Sequence, residues 1–139
     1  MNEKSVETIQ FEMATLVRYV TSVSSDKNGK LDRSGYLLLH RLSSQGSTGV
    51  KTLANEFHLD ISTVSRQAAA LEQKGYASRI PDPTDRRAYS YQITDNGKKE
   101  LAAYKKERMN KVKNLLKGWS EEECEMFGQL LKKFNRSFS

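Results

Sequence analysis

Residues 50–94 read VKTLANEFHLDISTVSRQAAALEQKGYASRIPDPTDRRAYSYQIT, and the fold turns on how this stretch punctuates itself. Val50, Leu53, Ala54 and Phe57 recur at i, i+3, i+4 and i+7, the spacing of one buried helix face. His58-Leu59-Asp60 interrupts it, and Asp60 is an N-cap residue whose carboxylate is placed to accept from an unpaired first-turn amide. A second helix is expected over residues 61–74, with Ile61, Val64, Ala68 and Leu71 inward and Gly75 supplying the left-handed residue that ends it. Two short helices across a tight turn make a helix-turn-helix pattern.

The outer side of the second helix carries Ser62, Thr63, Arg66 and Gln67, with Ser65 flanking. Arginine matches guanine O6 and N7 in a B-DNA major groove, and glutamine matches adenine N6 and N7. Hydroxyls and free amides in a first helical turn hold phosphate. A solvated helix face is the plainer reading, and the segment after this helix tells against it. Residues 76–80 read as a strand, Pro81 to Arg87 as a turn-rich tip, and Tyr89, Tyr91 and Ile93 alternate in a second strand. A hairpin with Arg86 and Arg87 at its tip suits a minor groove, where potential and width are read.

The segments VKTLANEF, DISTVSRQAAALEQKGY and DPTDRRAYSYQITDNGKKEL together resemble the MarR (multiple antibiotic resistance regulator) family of winged-helix transcription factors. The last is the most specific: the family pattern is an Asp-x-Arg wing, a strand, a Leu-Thr-like pair and Gly. Ile93 replaces the leucine. The resemblance implies a mainly α fold with a small β-hairpin wing, and a dimeric repressor or activator on a pseudo-palindromic operator of double-stranded DNA. It implies that residues 62, 63, 65, 66 and 67 read or flank the major groove, and that Asp85 orients Arg87 into the minor groove.

The chain has 139 residues, 37% hydrophobic and 29% charged, which suits one soluble domain. No long apolar run and no signal-peptide core are visible, and one cysteine makes no internal disulfide, so a cytoplasmic protein without membrane contact is expected. Net charge is +6, but residues 50–100 hold eight Lys or Arg against seven Asp or Glu, whereas residues 101–118 hold six against one. Most of the excess lies after the wing, where a solvated helix face is the plainer reading.

The expected organisation is a single domain over 1–139. A winged helix-turn-helix lobe occupies 31–94, with recognition helix 61–74 and wing 77–93. Helices over 5–24 and 95–138 would intertwine with those of a second copy. The first carries Val6, Ile9, Met13, Leu16, Val20 and Val23 at spacings of three and four, a heptad-like seam, and residues 24–29 break it. The last carries Cys124, Phe127, Leu131, Phe134 and Phe138 in the same rhythm, behind the capping box Ser120-Glu121-Glu122-Glu123. Narrow apolar seams at both ends of a small chain point to a C₂ homodimer, with half-sites about 34–36 Å apart. Asp32 or Ser34 should cap the helix holding Tyr36, Leu38, Leu39 and Leu42; residues 47–49 should connect it onward, as an extended strand of the wing's sheet. Thr94 should cap a helix carrying Leu101, Tyr104, Val112, Leu115 and Trp119 and ending near Gly118. The expected core is Leu38, Leu39, Leu42, Val50, Leu53, Phe57, Val64, Leu71, Ile80 and Ile93.

Catalysis finds no motif. His40 and His58 lack partners at metal-ligand spacing and no phosphate loop is present, so no enzyme activity, metal or cofactor is expected. Cys124 follows three glutamates on an apolar seam, a setting that disfavours a reactive thiolate; the family's peroxide sensors resemble one another in a first-helix cysteine that this chain lacks. The family also binds small aromatic or anionic effectors in a cleft between the dimer helices and the DNA-reading lobe. Arg18, Tyr19, Tyr36 and His40 are the candidate lining groups, Arg18 as a carboxylate partner, although the plainer reading is the stronger for each, with Tyr19 and Tyr36 as packing residues and Arg18 as a surface charge. The alternative to a DNA reader is a winged-helix protein-interaction module.

Overall fold

A computed structural model describes residues 1–23, 30–81 and 87–138. Residues 24–29, where a turn is expected, the side chains of Ser22 and Val23, and residues 82–86, with the expected hairpin tip and the expected contacts Asp85 and Arg86, lie outside the described residues.

Among the described residues, six helices and three short strands follow in the order α1 (Glu3–Val23), α2 (Arg33–Gln45), β1 (Thr48–Gly49), α3 (Val50–Phe57), α4 (Ile61–Gln73), β2 (Ala77–Pro81), β3 (Tyr89–Ile93), α5 (Asp95–Leu115) and α6 (Glu121–Arg136). β3 is central in an antiparallel sheet of order β1-β3-β2. Thr48 lies opposite Tyr91 on one side, and Arg79 opposite Tyr91 on the other. The expected strand at residues 47–49 is thus the third strand of the wing's sheet.

Side-chain capping starts three of the helices. The Asp32 carboxylate accepts from Gly35 N at 2.7 Å and starts α2. The Thr94 hydroxyl accepts from Gly97 N at 3.0 Å and starts α5. Ser120 Oγ accepts from Glu123 N at 3.1 Å while Glu123 Oε1 accepts from Ser120 N at 2.9 Å, a closed capping box before α6. α5 stops at Leu115, and a turn carries the chain through Gly118, slightly short of the expected end.

The core joins α2, α3, α4 and the sheet. Leu38, Leu39, Leu42, Leu53, Val64 and Leu71 are buried as expected, and Val50, Phe57 and Ile93 pack at its edge. Ile80 is a correction: it is half-buried and outside the core cluster, because it pairs with Ser90 and so lies on the sheet face opposite to that of Ala77, Tyr91 and Ile93. Tyr91 is buried instead, on the central strand, and Leu31, Ala54, Ala68, Tyr76 and Ala77 complete the core. Residue 76 precedes the strand, which starts at Ala77, and belongs to the turn that closes α4.

α1 and α6 share no such core. Ile9, Met13 and Leu16 of α1 and Phe127, Leu130, Leu131 and Phe134 of α6 line one apolar cleft of about 610 Å³. All seven remain substantially exposed, from 39% at Met13 and Phe134 to 57% at Leu130. The apolar side of α5 behaves likewise beyond the lobe: Leu101 and Tyr104 pack on the core, whereas Val112, Leu115 and Trp119 are exposed. No helix among the described residues is long and apolar enough to cross a membrane.

Candidate nucleic-acid interface

The turn between α3 and α4 is built by backbone geometry. His58 takes a left-handed conformation (φ 55°, ψ 44°), and the next amide, Leu59 N, reaches back to Ala54 O at 3.0 Å. That pair of features ends α3 within one residue and frees the chain to turn. Asp60 occupies the N-cap of α4 with extended backbone, but its side chain makes no capping hydrogen bond, contrary to expectation. The exposed carboxylate stays in water and the first-turn amides of α4 keep no side-chain acceptor from it.

α4 packs inward through Val64, Ala68 and Leu71. Ile61, expected inward, is 52% exposed: it is the first residue of α4, and burial begins one turn later at Val64. On the outer side Ser62 and Arg66 are exposed, and Thr63, Ser65 and Gln67 are half-buried at the flanks. All five therefore share the first two turns of one helix that is anchored on its other side.

The far end of α4 is locked to both the wing and α5. Gly75 (φ 83°) ends the helix; its amide donates to Glu72 O at 3.0 Å, and Tyr76 N donates to Leu71 O at 2.9 Å. Thr94 closes the same corner: its hydroxyl donates to Gly75 O at 2.7 Å and its amide to Tyr76 O at 3.0 Å. A Cβ at Gly97 would overlap the Tyr76 carbonyl oxygen and meet Ile93 Cγ1 at 2.9 Å. The Ile-Thr pair and the glycine after it thus let α5 begin against the turn that ends α4.

The wing has its own internal fastening. Arg79 Nε of β2 donates to Glu72 Oε1 of α4 at 3.1 Å, and the guanidinium carbon sits 4.4 Å from the Tyr89 ring centroid and 5.9 Å from that of Tyr91. Tyr89 and Tyr91 meet edge to face at 5.6 Å. Burial pushes the Tyr91 phenol above its ordinary value, against the pull of Arg79. The Arg79 guanidinium is held above its own ordinary value, first by Tyr91 and then, once burial has been offset, by Glu72. Arg87 is exposed in the turn leading into β3, two residues before Tyr89.

Behind α3, Arg41 reaches from α2 to Glu56 of α3 and to Thr48 of β1. Arg41, Glu56, Glu72 and Arg79 are not among the residues that sequence reasoning singles out. Arg41 does carry a signal: it is a charged residue set between Leu39 and Leu42 on a helix whose inner face is leucine. Arg79 carries no comparable mark.

Of the effector candidates, Tyr36 and His40 lie one helical turn apart with ring centroids 6.3 Å from each other, and Tyr36 stacks on Tyr104 of α5 at 4.7 Å. Arg18 and Tyr19 stand on α1, which makes no extensive interface with the lobe among the described residues. Lys105, Lys106, Arg108, Lys111, Lys113 and Lys117 after the wing are all exposed, and Lys111 pairs with Glu107 on the same helix at 3.6 Å. Cys124 is half-buried in the first turn of α6. Among the described residues no three His, Cys, Asp or Glu side chains gather as a metal site.

The profile of the MarR family matches residues 31–89. The uncharacterized HTH-type transcriptional regulator YxaD of Bacillus subtilis is 45% identical over 139 residues, covering 99% of this chain and 97% of that protein. Among solved structures, a MarR family protein from Bacillus stearothermophilus superposes with a TM-score of 0.81 at 20% identity, over 99% of this chain and 98% of the other. Bordetella bronchiseptica BpsR, whose DNA binding is regulated by 6-hydroxynicotinic acid, superposes with a TM-score of 0.71 at 18% identity, over 94% of this chain and 98% of its own.

Proposed function

The chain belongs to the MarR family of winged-helix HTH-type transcriptional regulators, and from that premise we propose that it is a homodimeric repressor reading a pseudo-palindromic operator. One observation carries the assignment: α4 is anchored on its inner face, presents Ser62 and Arg66 outward, and leads directly into a sheet whose turn exposes Arg87. In this reading Ser62, Thr63, Ser65, Arg66 and Gln67 read or flank the major groove. Arg87 enters the adjacent minor groove, with Asp85 orienting it and Arg86 beside it. Phosphate contacts at the start of α4 set the register.

The homodimer is supported by the apolar cleft between α1 and α6, which a second copy's helices would cover. Two lobes on a two-fold axis match a palindromic site. A small aromatic or anionic effector is assigned to the space beside Tyr36 and His40, with Arg18 and Tyr19 contributed from the dimer helices. The stacked Tyr36–Tyr104 pair and the ligand regulation of BpsR support that assignment. Effector binding would change the separation of the two lobes and so release the operator. The setting is the cytoplasm, where the operator is.

Selection of random duplex DNA by the purified protein at near-physiological salt, with Arg87→Ala alongside, tests the reading. An inverted repeat enriched by the wild type and lost by the variant supports it. No enriched motif, with binding that disappears as salt rises, leaves charge alone and transfers the winged helix to the role of a protein-interaction module.

A further inference from the structure

Recognition helix and wing meet DNA in different grooves, so the angle between them must be held. Beside the backbone lock at Gly75, Tyr76 and Thr94, one side chain spans the two. Arg79 stands in β2, directly opposite Tyr91 of β3. Its Nε binds the Glu72 carboxylate in the last turn of α4 at 3.1 Å. Its guanidinium lies over Tyr89, 4.4 Å from the ring centroid. Tyr89 begins β3, two residues after Arg87. A single side chain therefore touches α4 at one end and the root of the wing arginine's strand at the other.

We propose that Arg79 is a positioning residue that braces the wing against the recognition helix, so that Arg87 enters the minor groove only when α4 is seated in the major groove. The inference rests on the DNA-reading roles proposed for α4 and Arg87. Its chemistry suits the task. A guanidinium has a rigid plane that stacks on an aromatic ring while its edge donates to a carboxylate; a lysine ammonium offers one mobile charge and cannot do both in a fixed geometry. The brace also makes no demand on DNA: both its polar partner and its stacking partner are within the chain.

The test is a double-mutant cycle on the selected operator, using the full-length protein, with Arg79→Lys and Arg87→Ala singly and together. Arg79→Lys should weaken binding about tenfold, within the range of coupling between contacting groups. In the Arg87→Ala background the same change should cost little, because the wing is then no longer engaged. Minor-groove protection next to each half-site should be lost in Arg79→Lys, while the base preference of α4 stays unchanged. Glu72→Ala removes the acceptor and cuts the brace from the helix side, and it should repeat this pattern, which guards against an Arg79 variant that fails to fold. Losses that simply add across the cycle would overturn the brace, as would full affinity in Arg79→Lys, the result expected if residue 79 merely supplies a charge to phosphate. If Arg87→Ala alone binds like wild type, the wing reading itself fails and the brace falls with it.

Discussion

The Arg41 guanidinium holds the Glu56 carboxylate by two parallel hydrogen bonds, Nε to Oε2 at 2.6 Å and Nη2 to Oε1 at 3.0 Å. Its remaining edge donates from Nη1 to Thr48 Oγ1 at 3.0 Å, and that hydroxyl donates on to Gly46 O at 3.0 Å. One side chain thus ties α2, α3 and β1, and α4 leans on the first two of these. The hydrogen bond to Arg41 holds the Glu56 carboxyl below the ordinary glutamate value, and the same bond raises Arg41.

A carboxyl depressed in the folded state stabilises fully above its unfolded value of about 4.3 and loses that contribution as pH falls through the lower folded value. Glu56 is 38% exposed, so solvent screening limits the pair to about 0.5–1 kcal/mol. Denaturant unfolding of wild type and Glu56→Gln should therefore differ by that amount near neutrality and converge in acid below about pH 4. A difference that stays constant with pH would assign the effect to packing.

Gly97→Ala should destabilise by about 1–3 kcal/mol, the usual cost of overpacking. The obstacle is backbone, the Tyr76 carbonyl, and cannot rotate away. Differential scanning calorimetry reads the loss, and an unchanged melting temperature would contradict the close approach of α5 to α4.

His58 has positive φ, and an L side chain there costs about 1–2 kcal/mol against the right-handed region. His58→Gly should remove part of that penalty, offset by glycine's greater unfolded freedom, for a net gain of about 0.5–1 kcal/mol. Operator affinity measured on the same variant separates two roles: unchanged binding marks a purely conformational residue, and weaker binding marks a phosphate contact.

Phe134→Glu or Leu16→Glu puts a charge into the cleft between α1 and α6. If a second copy covers that cleft, sedimentation should show monomer at concentrations where wild type is dimeric. Operator binding should fall steeply, because each lobe then binds one half-site alone. Wild-type protein that sediments as a monomer would remove the dimer from the proposal.

Arg66→Ala should cost about 1–3 kcal/mol on the selected operator and relax preference at one base position per half-site. Repeating the selection with the variant reads this directly. An intact motif with uniformly weaker binding would move Arg66 from base edge to phosphate.

The amino-acid sequence alone determined what short-range chemistry determines. The left-handed Gly75, the Thr94 and Asp32 caps and the Ser120–Glu123 box are all satisfied within about four residues of chain, so spacing suffices to read them. The helix-turn-helix, the hairpin and the candidate reading face were legible for that reason. Asp60 shows the margin: residue type placed the cap, but not whether its carboxylate would turn to the backbone or to water. Every relationship between distant segments required the tertiary structure. Arg41 and Glu56 are 15 residues apart, and Glu72 and Arg79 sit on different elements across a turn. Gly97 is constrained by a carbonyl from the far end of α4. Tyr91 is buried while Ile80 is not, because the strand register puts Ile80 across from Ser90, on the sheet face away from Tyr91 and the core. Periodicity assigns a residue to a face; only the packing of other elements decides whether that face is covered, and by what.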